Sequence, residues 1–357
     1  MIFLRAAVEL AKQGVFSCAP NPRVGCLIVR DGMVLGRGAH LRTGEGHAEV
    51  NALADAGGDA SGATVYVSLE PCAHTGRTGP CADALIAANV RRVVSAMRDP
   101  NPQVSGQGFQ RLKAAGIRCE LRPLPEAEEL NAGYIKRIRD GRPLVRVKIA
   151  QSLDGRTAMA SGESRWITGP AARADVQYWR ARSCAVITGS GTVLTDDPRL
   201  TVRDTRYAMN GHIRQPLRVV ADTGLRVPAD AALLAAEGPV LFAHGAHAQR
   251  QLPEAEHLIC GEDEVDLALL LSALGERGCN EVLVEAGPRL VGAFLAQGLW
   301  DELLVYVAPK LLGSDARPTA MLPLVAMDQA VEATMRDCIT VGGDLRVRLV
   351  PRKISEP

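Results

Sequence analysis

Glu70-Pro71-Cys72-Ala73-His74-Thr75-Gly76-Arg77-Thr78-Gly79-Pro80-Cys81 sets two cysteines nine positions apart, and His47-Ala48-Glu49 lies 25 positions before the first of them. One imidazole and two thiolates fill three corners of a zinc tetrahedron and leave the fourth open, as a catalytic site requires. Water at that corner has its pKa lowered toward neutrality. Glu49, two residues from His47, faces the same pocket without ligating and can carry a proton from that water to departing ammonia. The arrangement HxE…PC…C is the pattern of zinc-dependent deaminases, so His47, Cys72 and Cys81 are the candidate Zn2+ ligands and Glu49 the candidate catalytic residue. Singly, each residue has an ordinary explanation, either a structural thiol or a histidine at a helix start. A closed structural site needs a fourth ligand, for which His74 is the nearby candidate, but the spacing matches no usual zinc ribbon.

Outward from this stretch, helical and strand-like segments alternate. A helix is expected over Phe3–Gln13, then a strand over Val24–Arg30, an Asp31-Gly32 hairpin turn and a strand over Val34–Gly38. Helices should begin near His47 and Pro80, the latter because proline suits a first helical turn. Thr64–Ser68, Arg92–Met97 and Ile117–Leu121 read as strands, with a helix near Gln107–Ala114. The order α-β-β-α-β-α-β-α-β implies a sheet layered between helices. Residues 1–122 are therefore read as a first domain, the charged stretch 123–142 as a linker, and 143–357 as a second α/β domain. In that second domain Leu144–Gln151, Cys184–Thr188, Leu217–Ala221, Val240–Ala243, Val282–Glu285 and Leu303–Val307 read as buried strands. Helices are expected near Pro170–Arg182, Glu264–Gly275 and Pro288–Gln297.

Composition narrows the function classes. The chain has 357 residues, enough for two cores. Its 41 lysines and arginines against 40 acidic residues give no basic footprint for a nucleic-acid partner. No apolar run approaches the roughly 20 residues that span a bilayer. Arg5, Glu9 and Lys12 break up what would be a signal peptide's apolar region. Nine cysteines, an odd number, then point to a reducing, cytoplasmic compartment.

The segment Glu70–Cys81 resembles the deaminase half of the bifunctional riboflavin-pathway deaminase-reductases. Nucleic-acid and free-cytidine deaminases usually place two residues between the cysteines, whereas here there are eight, as in that family. Pro20-Asn21-Pro22-Arg23-Val24-Gly25 is similar to the family's substrate entry, which implies that Asn21 contacts the pyrimidine. Gly79 stands where the family usually has a second proline, a departure that removes no ligand.

The second half contains Ser152-Leu-Asp-Gly-Arg156, Gly162-Glu-Ser-Arg-Trp-Ile167, Thr188-Gly-Ser-Gly-Thr192, Asp196-Asp-Pro198 and Val284-Glu-Ala-Gly-Pro288. A helix N-terminus after Gly287 offers free N–H groups to a phosphate, yet strand-Gly-helix turns are mostly packing. These segments match the reductase half of the same family, which is similar in fold to dihydrofolate reductase. The resemblance therefore implies a cytidine-deaminase-like α/β/α domain followed by a dihydrofolate-reductase-like α/β domain. It implies NADPH contacts from Ala150, Trp166, Thr192, Asp196, Thr223 and the turn Gly287, Pro288, Arg289, Leu290, Val291, Gly292 and Ala293. It implies substrate contacts from Ser164, Arg180, Leu200, Arg203 and Glu285, with the two arginines placed to hold a ribose phosphate. The implied activity is zinc-dependent deamination of a diaminopyrimidinone ribosylamine phosphate, followed by NADPH-dependent reduction of its ribose. The rivals are a nucleic-acid-editing zinc deaminase with an accessory domain, and a non-enzymatic zinc-stabilised nucleotide-binding module. The sequence leaves the oligomeric state open, a homo-oligomer included.

Overall fold

The computed structural model describes residues 1–74, 79–102, 104–250 and 252–352. The chain divides into two compact units, Met1–Gly141 and Arg142–Pro357. Of the motif Glu70–Cys81, residues 75–78 lie outside the described residues.

In the first unit, α1 (Ile2–Ala11) buries Leu4, Ala7, Val8 and Ala11, the spacing of a single helical stripe. Strands β1 (Gly25–Arg30) and β2 (Met33–Ala39) form the expected hairpin, with Asp31 and Gly32 both at positive φ as an Asp-Gly turn demands. Then follow α2 (Ala48–Asp55), β3 (Thr64–Val67), α3 (Cys81–Ala87), β4 (Arg92–Ser95), α4 (Gln107–Ala114) and β5 (Arg118–Leu121). The sheet order is β2-β1-β3-β4-β5, antiparallel at the hairpin edge and parallel from β3 to β5. Helix α2 lies directly on β2: a Cβ at Gly36 or Gly38 would stand 2.2 Å from the carbonyl oxygen of Ala52 or Ala48. Only glycine permits that approach, and it sets the depth of the helix carrying His47 and Glu49.

Residues 123–142, expected as a linker, fold instead into α5 (Pro125–Leu130) and α6 (Ala132–Asp140). Ala127 and Leu130 join the first unit's core. The buried Asn131 side chain accepts from Arg23 N–H (2.8 Å) and donates to Arg23 C=O (2.9 Å). The outward charges of Glu126, Glu128, Arg137 and Arg139 mask this apolar side in the sequence.

The second unit begins with β6 (Leu144–Ser152), β7 (Arg156–Ala158), α7 (Pro170–Arg182), β8 (Ala185–Gly189), α8 (Ser190–Asp196) and β9 (Leu217–Ala221). Next come α9 (Ala232–Ala235), β10 (Val240–His244), β11 (Glu256–Ile259), α10 (Leu267–Glu276), β12 (Glu281–Glu285), α11 (Pro288–Ala296) and β13 (Glu302–Ala308). The chain closes with β14 (Arg317–Pro318), β15 (Ala333–Val341) and β16 (Asp344–Pro351). The nine-stranded sheet runs β11-β10-β9-β8-β12-β6-β13-β16-β15, parallel through β13 and antiparallel at β16 and β15. Strand alternation assigns its faces: Val282 and Val284 pack under α10 and α11, while Leu283 packs with Val176 and Trp179 of α7. On the α7 face, buried Arg146 bridges Glu281 (2.5 Å) and Glu302 (2.6 Å), so this charge inside the sheet is paired.

Candidate functional site

The first unit gathers its chemistry at two helix starts. His47 immediately precedes α2 and Cys81 is the first residue of α3, as the sequence suggested. The ligand atoms of His47, Cys72 and Cys81 all lie within 4.8 Å of one another. His47 Nδ1 is 3.2 Å from Cys81 Sγ and 3.6 Å from Cys72 Sγ, and the Cys81 N–H donates to Cys72 Sγ at 3.3 Å. A hydrogen bond from the Cys81 thiol, followed by one from His47, holds the Cys72 thiol well below its ordinary value. One imidazole and two sulfurs at this spacing suit a tetrahedral zinc with an open corner. His74 is exposed and stands outside the cluster.

Glu49 is 3% exposed in the first turn of α2. Burial first, and then the Cys72 charge, push its carboxyl up to about 7. A carboxyl poised there exchanges protons in both directions near neutrality.

Asn21 joins this site through a residue that sequence reasoning missed. The Asn21 amide lies 3.0 Å from His40 Nε2, while His40 Nδ1 faces the Gly46 carbonyl at 3.1 Å and the ring meets His47 edge-on at 5.2 Å between centroids. Burial lowers the His40 pKa, favouring the neutral ring. Nδ1–H then donates to Gly46 and Nε2 accepts from the Asn21 amide, which leaves Asn21 Oδ1 free to accept. The signal available in the sequence was a histidine ending an apolar strand, where an imidazole needs partners.

Behind the ligand loop, Glu70 accepts from the N–H groups of Gly106 (3.0 Å) and Phe109 (3.2 Å), latching the start of α4 onto Pro71–Cys72. A Cβ on Gly108 would stand 1.8 Å from the Pro71 carbonyl oxygen.

The second unit collects its expected residues at the carboxyl ends of parallel strands, the usual ligand edge of such sheets. Thr192, in α8, accepts the Gly287 N–H at 3.0 Å, which joins the β8 and β12 turns. Pro288 opens α11, whose first-turn N–H groups at Arg289 and Leu290 have no intrahelical carbonyl to reach. Val291 and Gly292 are buried in that helix, so their side of it serves packing. Leu290 and Ala293 are half-buried against the same core. A Cβ at Gly191 would meet nothing, and Thr188 Oγ1 is buried without a partner among the described residues. An open surface at Gly191 and unengaged N–H groups at the start of α11 fit a dinucleotide phosphate.

Ser164 lies 3.5 Å from Asp196 Oδ1, and Ala150 sits near the carboxyl end of β6. Trp166 is 61% exposed, with the Arg173 guanidinium 4.3 Å from its ring centroid, so it is no core tryptophan. Thr223 follows β9 and accepts the Gly245 N–H at 3.0 Å. Leu200 adopts φ 54°, a left-handed conformation rare for leucine, and is 4% exposed, with its side chain packed in the core.

Glu285, at the end of β12, receives Arg180 bidentately at 2.5 and 3.0 Å, and Arg180 Nη1 also donates to Thr201 C=O. Arg180 is thereby largely engaged within the protein, whereas Arg203 is exposed and held in place through its backbone N–H to Gln177. Lys148, which sequence reasoning missed, pairs in register with Glu285. Burial lowers its pKa, opposed by Glu285. A charged residue, Lys148, alternating with Arg146 in an otherwise apolar strand over 145–150 was the available signal.

Comparisons with known proteins agree with both halves. The description "RibD C-terminal domain" matches residues 143–345, and "Cytidine and deoxycytidylate deaminase zinc-binding region" matches residues 2–97. The chain is 49% identical over 360 residues to riboflavin biosynthesis protein RibD of Escherichia coli, covering 98% of each. It is 44% identical over 363 residues to the protein of the same name in Haemophilus influenzae, covering 99% of this chain and 98% of that one. Among solved structures, Acinetobacter baumannii RibD in its first form superposes with a TM-score of 0.93 at 46% identity, covering 99% and 98% of the two chains. A Thermotoga maritima diaminohydroxyphosphoribosylaminopyrimidine deaminase/5-amino-6-(5-phosphoribosylamino)uracil reductase gives 0.89 at 32% identity, covering 98% of both.

Proposed function

Because the chain belongs to the RibD family of bifunctional riboflavin-biosynthesis enzymes, we propose that its first unit holds the deaminase site and its second the reductase site. The enzyme is a deaminase and a reductase, with zinc and NADPH as its cofactors. The substrate of the first step is 2,5-diamino-6-(5-phosphoribosylamino)pyrimidin-4-one, and the product of the second is 5-amino-6-(5-phosphoribitylamino)uracil. The observation that carries this reading is the convergence of His47, Cys72 and Cys81 beside a buried carboxyl, Glu49. The editing-deaminase alternative fits poorly, since full-length relatives carry both halves and the net charge is +1.

In the first reaction, water replaces the exocyclic 2-amino group, giving the carbonyl and ammonia. Zinc, when held by His47, Cys72 and Cys81, activates that water. Glu49 takes the water's proton and returns one to the leaving nitrogen. Asn21, steadied by His40, presents Oδ1 to a donor on the pyrimidine. In the second reaction a hydride adds to C1′ and a proton to the ring oxygen, which opens the ribose to a ribityl chain; NADPH supplies the hydride. Glu285, Arg180 and Lys148 form a fixed charged wall at the carboxyl ends of β12 and β6. Ser164, beside Asp196, and Leu200 would line the substrate. Arg203, the more available of the two arginines, would take the larger share of the phosphate.

A cytoplasmic location fits nine cysteines of which none is in a disulfide. No described helix is long and apolar enough to cross a membrane. Association between copies of the chain is supported by the exposed apolar residues Val325, Met327 and Met335.

The test is Glu49→Gln. It should keep zinc, lose ammonia release by at least about 10²-fold, and still reduce the pre-deaminated substrate. Normal ammonia release by this variant would refute the assignment.

A further inference from the structure

Arg226 lies beyond the candidate cofactor residues, in the turn that leaves β9: Asp222-Thr223-Gly224-Leu225-Arg226. We propose that Arg226 binds the 2′-phosphate of the adenosine ribose and so makes the second unit select NADPH over NADH. This rests on the reading of that unit as the NADPH site.

Sheet order places the nucleotide. The nicotinamide end belongs beside Ala150 on β6 and the charged wall at Glu285 on β12, and the pyrophosphate belongs at Gly287–Leu290 and Thr192. From β6 the neighbouring strands run β12, β8, β9. Three strand intervals span about 14 Å, room for the pyrophosphate and both riboses. The adenosine ribose therefore reaches the carboxyl end of β9, where Thr223 stands.

At such a strand end an acid commonly reads the free 2′-hydroxyl of NAD, whereas a nearby arginine accommodates the 2′-phosphate of NADP. This turn contains both residue types, and the structure orients them differently. Asp222 is fully buried, and its Oδ2 accepts the Val227 N–H at 2.9 Å, so the carboxylate is turned into the protein and away from a ligand. The Arg226 side chain is 62% exposed. It is nevertheless tethered: Nη2 donates to Ser190 Oγ at 2.7 Å, and Nε lies 3.5 Å from Asp222 Oδ1. These two contacts draw the guanidinium back over the β8 and β9 ends rather than letting it extend into solvent, with Nη1 left to donate.

The other cations of this edge are differently disposed. Arg250 donates to the Leu225 and Val227 carbonyls and so holds the turn itself. His244 is buried, with Nδ1 2.9 Å from the Gly245 carbonyl. Behind Thr223 the backbone is closed, since a Cβ on Gly245 would stand 2.2 Å from the Glu262 carbonyl oxygen. Of these residues, Arg226 is the one whose charge faces outward beside Thr223. A phosphate monoester carrying nearly two charges gains a charge-assisted bond there that a ribose hydroxyl cannot match.

The experiment titrates the full-length protein with NADPH and NADH, read by nicotinamide fluorescence. It is repeated with adenosine 2′,5′-bisphosphate and adenosine 5′-phosphate, read by calorimetry. Arg226→Gln should weaken NADPH and the bisphosphate at least tenfold and change NADH and the monophosphate less than twofold. Arg226→Lys should recover part of the loss, and melting curves of both variants verify folding. Equal weakening of NADPH and NADH, or no weakening of either, would overturn the proposal. If the wild-type protein binds neither dinucleotide, the reading of the second unit fails as well. If the wild type prefers NADPH and Arg226→Gln keeps that preference, only the role of Arg226 fails.

Discussion

Gly108→Ala should damage the deaminase and spare the reductase. The added Cβ would lie 1.8 Å from the Pro71 carbonyl oxygen and 3.0 Å from its carbon, both backbone atoms that no side-chain rotation can clear. Reaching an ordinary separation of about 3.3 Å requires α4 and the ligand loop to part by roughly 1.5 Å, about three times the ~0.5 Å tolerance of a catalytic constellation. The movement cannot be absorbed by α4 alone, because Glu70 ties Gly106 and Phe109 to the residue before Pro71. Cys72 follows Pro71 directly and moves with it. Overpacking of this kind costs about 1–3 kcal/mol, and displacing a metal's supporting contacts costs about 10–100-fold in metal affinity or activity. The assay is competition for zinc against a chromogenic chelator, with ammonia release and NADPH oxidation on pre-deaminated substrate measured on the same preparation. The second activity is an internal control for folding of its own unit. Unchanged zinc affinity and ammonia release would refute the argument that α4 positions Cys72.

Three further outcomes follow from the same geometry. Protein purified without chelator should hold one zinc per chain and the double variant Cys72→Ser, Cys81→Ser should lose it; elemental analysis showing no zinc in the first, or full retention in the second, would contradict the ligand set. Arg203→Ala should lower reductase kcat/KM at least about tenfold, a charge-assisted bond being worth roughly 1.5–3 kcal/mol, while NADPH affinity holds; an equal penalty on a dephosphorylated substrate would show that Arg203 does not hold phosphate. Asp154 is held down to about 2 by the Ser152 hydroxyl first and then by the Gly313 and Leu312 N–H groups. Its carboxylate therefore contributes stability that is fully present above its ordinary value of 3.8 and is lost as pH falls through about 2. Asp154→Asn should melt lower than wild type at pH 6, with the gap narrowing as pH falls from about 4 toward 2, and a gap that stays constant over that range would contradict the linkage.

The parts legible in the sequence were those that rest on short-range rules. The Asp31-Gly32 turn, the α4 span Gln107–Ala114 and the α7 span Pro170–Arg182 emerge where periodicity and turn chemistry expect them. His47, Cys72 and Cys81 converge because their identities already encode a common ligand. Residues 123–142 misled because their charges are outward-facing while a single asparagine, Asn131, carries the link back to Arg23. Helix α8 was hidden in Thr188–Thr192, where glycines suggest an open turn and tertiary packing overrides propensity. Strands β15 and β16 lack the apolar run of a buried strand, since most of their residues are exposed. His40 and Lys148 could be noticed only as misplaced polar residues, since their partners Asn21 and Glu285 are distant in sequence. The engagement of Arg180 by Glu285 is likewise a long-range fact, joining α7 to β12 across 105 positions.

The central claim, that one chain deaminates and then reduces, is tested most directly by counting both products from one preparation. With the diaminopyrimidine ribosylamine phosphate and no NADPH, the protein should release one ammonia per substrate and stop at the deaminated ribosylamine. Adding NADPH should then consume one equivalent and yield the ribityl product. NADPH oxidation without prior ammonia release, or no ammonia release from zinc-replete protein, would contradict the account.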